Sequence, residues 1–144
     1  MKIDLTSREV PPDMEQPGVF ADVFEASWPD KKGRSHRHLV LTAQLAATKT
    51  SRERFTATRA WNIEDTRGVN QLLEDLKVWR GSDELPNLKD FDPEREFIGK
   101  GCLIKPFAVS RGGKRQIQFT EFKPATGQAI TVSSDFVRAN QSAD

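Results

Sequence analysis

The chain has 144 residues and a mass of 16.2 kDa, with 36% hydrophobic side chains, 30% charged ones and a formal net charge of +1. That length suits one domain and argues against a two-domain enzyme; no stretch approaches the roughly 18 consecutive apolar residues of a membrane span, and the opening Met1-Lys2-Ile3-Asp4-Leu5 has no apolar leader, so a soluble, cytoplasmic protein is expected. Cys102 is the sole cysteine, which excludes an intramolecular disulfide, a multi-cysteine zinc site and a CxxC redox pair.

Residues 1–17 hold Pro11-Pro12 and lead into Pro17-Gly18, so they are expected to form a flexible arm before a domain over 18–132. Val19 to Ser27, rich in Val and Phe, predicts a first strand that ends at Trp28-Pro29-Asp30, where Pro and Asp start a turn. Arg37 to Leu45 predicts a half-buried second strand, because Leu39, Leu41, Ala43 and Leu45 alternate with His38, Val40, Thr42 and Gln44. Arg54 to Asn62 predicts a third, favoured by Phe, Thr and Trp. The period then changes. Val69, Leu72, Leu73, Leu76 and Trp79 fall on one helical stripe over Thr66 to Trp79, with Glu64 and Asp65 at its start, Lys77 and Arg80 at its end and Gly81 as the stop. Beyond a loop through Pro86 and Pro93, strand character returns at Phe97 to Val109; Arg111-Gly112-Gly113-Lys114 makes a tight turn, and Arg115 to Lys123 completes a hairpin. A short strand at Ala129 to Ser133 and a frayed polar tail over 133–144 finish the pattern.

The order β-β-β-α-β-β, with one helix between strands 3 and 4, matches a five-stranded OB-fold-like barrel that is mainly β; a small α+β sandwich of the same elements is the competing architecture. In an OB fold the ligand crosses strands 2 and 3 between the loop joining strands 1 and 2 and the loop joining strands 4 and 5. Charge is segregated to suit that face. Residues 28–60 carry eight basic side chains against two acidic, residues 61–99 five against ten, and residues 100–123 six against one. The first expected loop reads Lys31-Lys32-Gly33-Arg34-Ser35-His36-Arg37-His38 and the second Arg111-Gly112-Gly113-Lys114-Arg115. Lysine and arginine there neutralise phosphates and release counterions. Arg54 and Arg59 extend the track. Phe55, Arg59 and Trp61 share one parity, so they offer either an aromatic row on which bases stack or a core-facing set with Arg59 at the rim. Trp28 is a further stacking candidate or a packed strand end. Phe119 and Phe122 have opposite parity, which sends one of them outward or under the arm.

Pro17-Gly18-Val19-Phe20, Arg59-Ala60-Trp61-Asn62, the leucine-bearing helix from Gly68 to Trp79 and Phe97-Ile98-Gly99-Lys100 together resemble phage- and prophage-encoded single-stranded-DNA-binding proteins with an OB-type core, over about Gly18 to Pro124. The resemblance implies binding of single strands with little sequence preference, no catalysis, no cofactor, and a place beside replication or recombination proteins. The terminus Asn140-Gln141-Ser142-Ala143-Asp144 departs from the acidic, Phe-ended tail by which bacterial single-strand-binding proteins recruit partners.

Other chemistries have weaker support. His36 and His38 share a strand face, but basic neighbours and the lack of a third ligand argue against a metal. Asp90, Asp92, Glu94 and Glu96 lack the spacing of a cation loop and read as a solvated segment rather than a nuclease centre. Neither Ser110 nor Cys102 has an assigned base, and the glycine-lysine runs lack the P-loop signature. The alternative class is a non-catalytic interaction or homo-oligomerisation module, in which basic and acidic faces of neighbouring copies meet.

Overall fold

The computed structural model describes residues 1, 14–46, 54–84, 89–127 and 129–139. Most of the expected arm, residues 140–144 of the expected tail, and Lys49, Arg52 and Glu53 of the first basic block lie outside the described residues. Three alternating segments build an antiparallel meander: β1 (Gln16–Pro29), β2 (Ser35–Leu45) and β3 (Thr56–Asn62). Leu39, Leu41, Ala43 and Leu45 all point to the core, as their alternation demands. The register pairs Leu41 with Val23 on β1 and with Arg59 on β3, so those side chains share this inner side. A bulge between Phe20 and Asp22 re-aims β1. The second face of β2 departs from the half-buried expectation, since Val40, Thr42 and Gln44 are buried as well.

Helix α1 (Thr66–Arg80) follows within a residue of the predicted bounds. Asp65 caps its start by accepting the Arg67 N–H, and Gly81 ends it with a left-handed backbone and an N–H bonded to the Lys77 carbonyl. Gly68 is required by close approach: a Cβ there would stand 2.0 Å from the Asn62 carbonyl oxygen. Leu72, Leu76 and Trp79 are buried from the stripe, and the helix lies on the inner side of β3.

The segment expected as one strand over Phe97 to Val109 is divided. A short helix α2 (Pro93–Phe97) comes first, because Asp92 caps Arg95 N–H and Pro93 occupies the first turn, where its missing N–H costs nothing. It is a second helix where one was expected. Strands β4 (Gly101–Ile104) and β5 (Phe107–Arg111) follow, separated by Lys105 and the buried Pro106, which has no N–H for a ladder. The returning strand also splits, into β6 (Lys114–Gln118) and β7 (Phe122–Pro124). The intervening Phe119-Thr120-Glu121 resets the alternation, so Phe119 and Phe122 are both buried rather than one facing out. Gly112 and Gly113, at φ 57° and 77°, make the two-residue turn between β5 and β6.

The architecture is therefore mainly β: among the described residues, one mixed seven-stranded sheet of order β5-β6-β3-β2-β1-β4-β7 with two helices. It replaces the five-stranded closed ladder expected from the sequence, since β5 and β7 stand at its two ends. Residues 101–124 nevertheless form one interrupted hairpin, β4 with β7 and β5 with β6, whose β4 half pairs with β1 and whose β6 half meets β3. The core centres on Phe20, whose ring meets Trp79, Phe97 and Phe122 edge-on at centroid distances of 5.2, 5.3 and 5.5 Å.

No strand forms at 129–133, and residues 133–139 are docked rather than frayed. Gln44 donates to Ser133 Oγ and accepts from Ser133 N–H. Asp22, buried on β1, accepts from Arg138 Nε at 3.1 Å and from the Ala139 N–H at 2.7 Å. This segment covers the Asp22 and Gln44 end of the outer side of the sheet.

Candidate nucleic-acid interface

Beyond that covered end, the outer side of the meander is open. Strand alternation brings Phe24, Ala26 and Trp28 of β1, Val40 of β2 and Thr56, Thr58 and Ala60 of β3 to one surface, and Gln116, Ile117 and Gln118 of β6 rise beside it. The result is a groove of about 530 Å³. Among the described residues, none that lines it is charged. Trp28 stands at one end, 39% exposed, with its other face covered by His38 in a near-parallel stack at 3.6 Å and 12°.

That stack is anchored through hydrogen bonds. The His36 carbonyl accepts from His38 Nδ1 at 3.0 Å; a carbonyl cannot donate, so Nδ1 carries the proton and Nε2 of the neutral ring is an acceptor. His36 Nε2 donates to Asp30 Oδ2 at 2.8 Å, and Asp30 Oδ1 accepts the N–H groups of Lys32 and Arg34. The His36 bond, followed by the backbone donors, holds the Asp30 carboxyl below its ordinary range. Asp30 thus organises the β1–β2 turn from which Lys31, Lys32 and Arg34 project into solvent.

The predicted residues divide into those that flank the groove and those committed elsewhere. Lys31, Lys32 and Arg34 lie on the β1–β2 turn, and Lys114 and Arg115 are exposed at the start of β6. Arg111 ends β5; its side chain lies outside the described set. Five of the expected contacts are redirected. Trp61 is only 2% exposed and donates from Nε1 to Asp75 Oδ2 at 2.9 Å, so its ring is core and offers no stacking surface. Phe55 packs against the same core. Arg59 lies 5.2 Å over the Trp61 ring and pairs with Asp75 at 3.2 Å, because its parity is the inner one. Arg54 is spent on the Leu45 and Thr131 carbonyls, where it pins the C-terminal segment. Arg37 also points to the inner parity, at the exposed end of the hairpin, and faces Glu25 at 3.7 Å.

Asp75 escaped the sequence reading. It is a buried carboxylate on α1 that accepts from Trp61, Arg59 and Gln71, and its place between Glu74 and Leu76 gives it the look of a solvated residue. The groove floor was also missed, although the second face of β2 had already separated His38 and Val40 from the core set. Of the acidic group 90–96, Asp92 is a helix cap, Glu94 pairs with Arg138 and Glu96 with Arg80. Among the described residues no cluster of three or more His, Cys, Asp or Glu is arranged to hold a metal, and no helix is long and apolar enough to cross a membrane. Burial pushes the Cys102 thiol up to about 12. No protein-family model matches the chain, and no curated protein is significantly similar to it.

Proposed function

We propose that the chain is a non-catalytic single-stranded-DNA-binding protein that seats unpaired bases in the outer groove, on an OB-type framework. One observation carries this reading: an uncharged groove with an exposed tryptophan lies between two hairpins that carry Lys31, Lys32 and Arg34 on one side and Lys114 and Arg115 on the other. Apolar and amide surfaces favour base faces and edges, while lysine and arginine favour phosphate. Bases therefore point in and phosphates out, an arrangement open to a single strand and closed to a duplex, whose bases are already paired.

The OB-type framework is supported by the interrupted hairpin. Taken as two broken strands, β4 with β5 and β6 with β7, it engages both outer edges of the β1–β2–β3 meander, with α1 between the third and fourth strands in chain order. A role beside phage-type replication or recombination proteins follows from the sequence resemblance.

Fluorescence anisotropy of labelled oligo-dT and a matched duplex, titrated at several salt concentrations, tests the reading. Preference for the single strand is expected, with a logarithmic salt slope of about −0.7 per phosphate contacted. Lys31→Glu with Lys32→Glu, and separately Lys114→Glu, flatten that slope. Absence of binding at low salt overturns the proposal.

A further inference from the structure

The far edge of β5 has no partner strand among the described residues. Native sheets usually blunt such an edge with charge, proline or a bulge. The stretch Phe107-Ala108-Val109-Ser110 contains neither charge nor proline, and the β5–β6 register runs without a shift. Phe107 is 39% exposed, and Ala108 and Ser110 are exposed beside it. The hairpin is also thinly supported, because β6 is paired to β3 only at Thr58 and Gln118 among the described residues, and a two-stranded ribbon alone is marginal in water. The turn fixes which backbone groups are free. The two-residue loop Gly112-Gly113 makes Arg111 and Lys114 a hydrogen-bonded pair. Alternation along the ladder then turns the N–H and C=O of Phe107 and Val109 toward β6, and those of Ala108 and Ser110 outward. Two donors and two acceptors thus lie symmetrically about Val109.

We propose that this edge docks β5 of a second copy of the chain, paired antiparallel about a two-fold axis at Val109. Ala108 of each copy exchanges both backbone bonds with Ser110 of the other, and Val109 stands opposite Val109. Each Phe107 lies diagonal to the other copy's Val109, within reach of an aromatic ring, so two Phe107 and two Val109 side chains form one apolar cluster. Charge selects the same direction. Arg111, Lys114 and Arg115 make the turn basic; parallel pairing would set two such turns side by side, whereas the antiparallel register holds them about 14 Å or more apart, beyond the screening length at physiological salt. A second copy thus supplies the uncharged strand and the opposed turn that this edge requires. The contact needs no nucleic acid, so it stands apart from the single-strand reading.

Sedimentation equilibrium of the full chain without DNA tests this interface. The strands are short, so a weak monomer–dimer equilibrium is expected, with a midpoint in the range of about 10–500 µM that persists at about 0.5 M salt. Ser110→Pro deletes an outward N–H and leaves every bond from β5 to β6 in place; dimerisation should weaken about tenfold or more while the melting temperature is kept. Val109→Lys and Val109→Glu each set like charges opposite one another and weaken self-association about fivefold or more. Mixing those two variants restores dimers, because the axis then brings unlike charges together. A chain that stays monomeric at about 500 µM overturns the proposal. So does a dimer indifferent to Ser110→Pro, or a mixture that fails to associate. Dimers abolished by salt also overturn it, and assign self-association to the meeting of basic and acidic faces instead.

Discussion

Two tryptophans on one meander have opposite fates. Trp61 of β3 points inward, where α1 covers it and Asp75 takes its N–H; Trp28 of β1 points outward, where one histidine covers one face and the other stays open. The difference does not lie in the residue or in strand preference. It lies in which side of the sheet receives the helix, and the same division sends Arg59 to a carboxylate while Lys31 and Lys32 remain in solvent. The inner side is stabilised by aromatic burial, and the outer side keeps an open groove with an apolar floor.

The largest effect that sharpens this contrast is expected from Trp61→Ala. Loss of a buried ring and of the Asp75 bond lowers stability by about 3–5 kcal/mol in thermal or urea unfolding. A small change there would place Trp61 in a loosely packed rim and dissolve the comparison. Next comes Gly68→Ala, whose methyl group collides with the Asn62 carbonyl; the helix must shift from β3, at a cost of about 3 kcal/mol in the same melts. Trp28→Ala should leave stability within about 0.5 kcal/mol yet weaken single-strand binding by about 1–3 kcal/mol. Trp61 and Trp79 are 2% and 8% exposed, so quenching of tryptophan fluorescence by an oligonucleotide reports mainly on Trp28. A Trp28→Ala chain that melts early and binds normally would reverse the roles assigned to the two faces.

Local signals in the sequence were sufficient for the meander and the long helix. Alternation from Leu39 to Leu45 identifies the core side of β2, and the Asp65 and Gly81 caps bound α1 almost to the residue. Parity correctly joined Phe55, Arg59 and Trp61, but parity alone does not say which side a helix will cover. The second half of the chain was harder to read for the same kind of reason. Pro106 is a visible break, yet Phe119-Thr120-Glu121 becomes one only when β6 meets β3 and β7 meets β4, contacts made far along the chain. The docked segment 133–139 has a polar composition that suggests a loose tail; its attachment depends on Asp22 and Gln44, more than eighty residues away. For the proposed binding face, the basic turns were legible from composition, whereas the groove between them required the register of four strands.

The bond from Ala139 N–H to Asp22 spans 117 residues, and the interrupted hairpin that covers the edges of β1 and β3 begins only at Gly101. During synthesis, β1, β2 and β3 therefore emerge from the ribosome with two unpaired edges long before their partners exist. Contacts this distant in sequence make folding slow, and bare strand edges invite pairing with other chains. A nascent chain that stalls before residue 101 has made the meander but neither β6, which completes the outer groove, nor the strands that protect its edges, so the C-terminal third governs how safely the protein is made as well as how it is shaped.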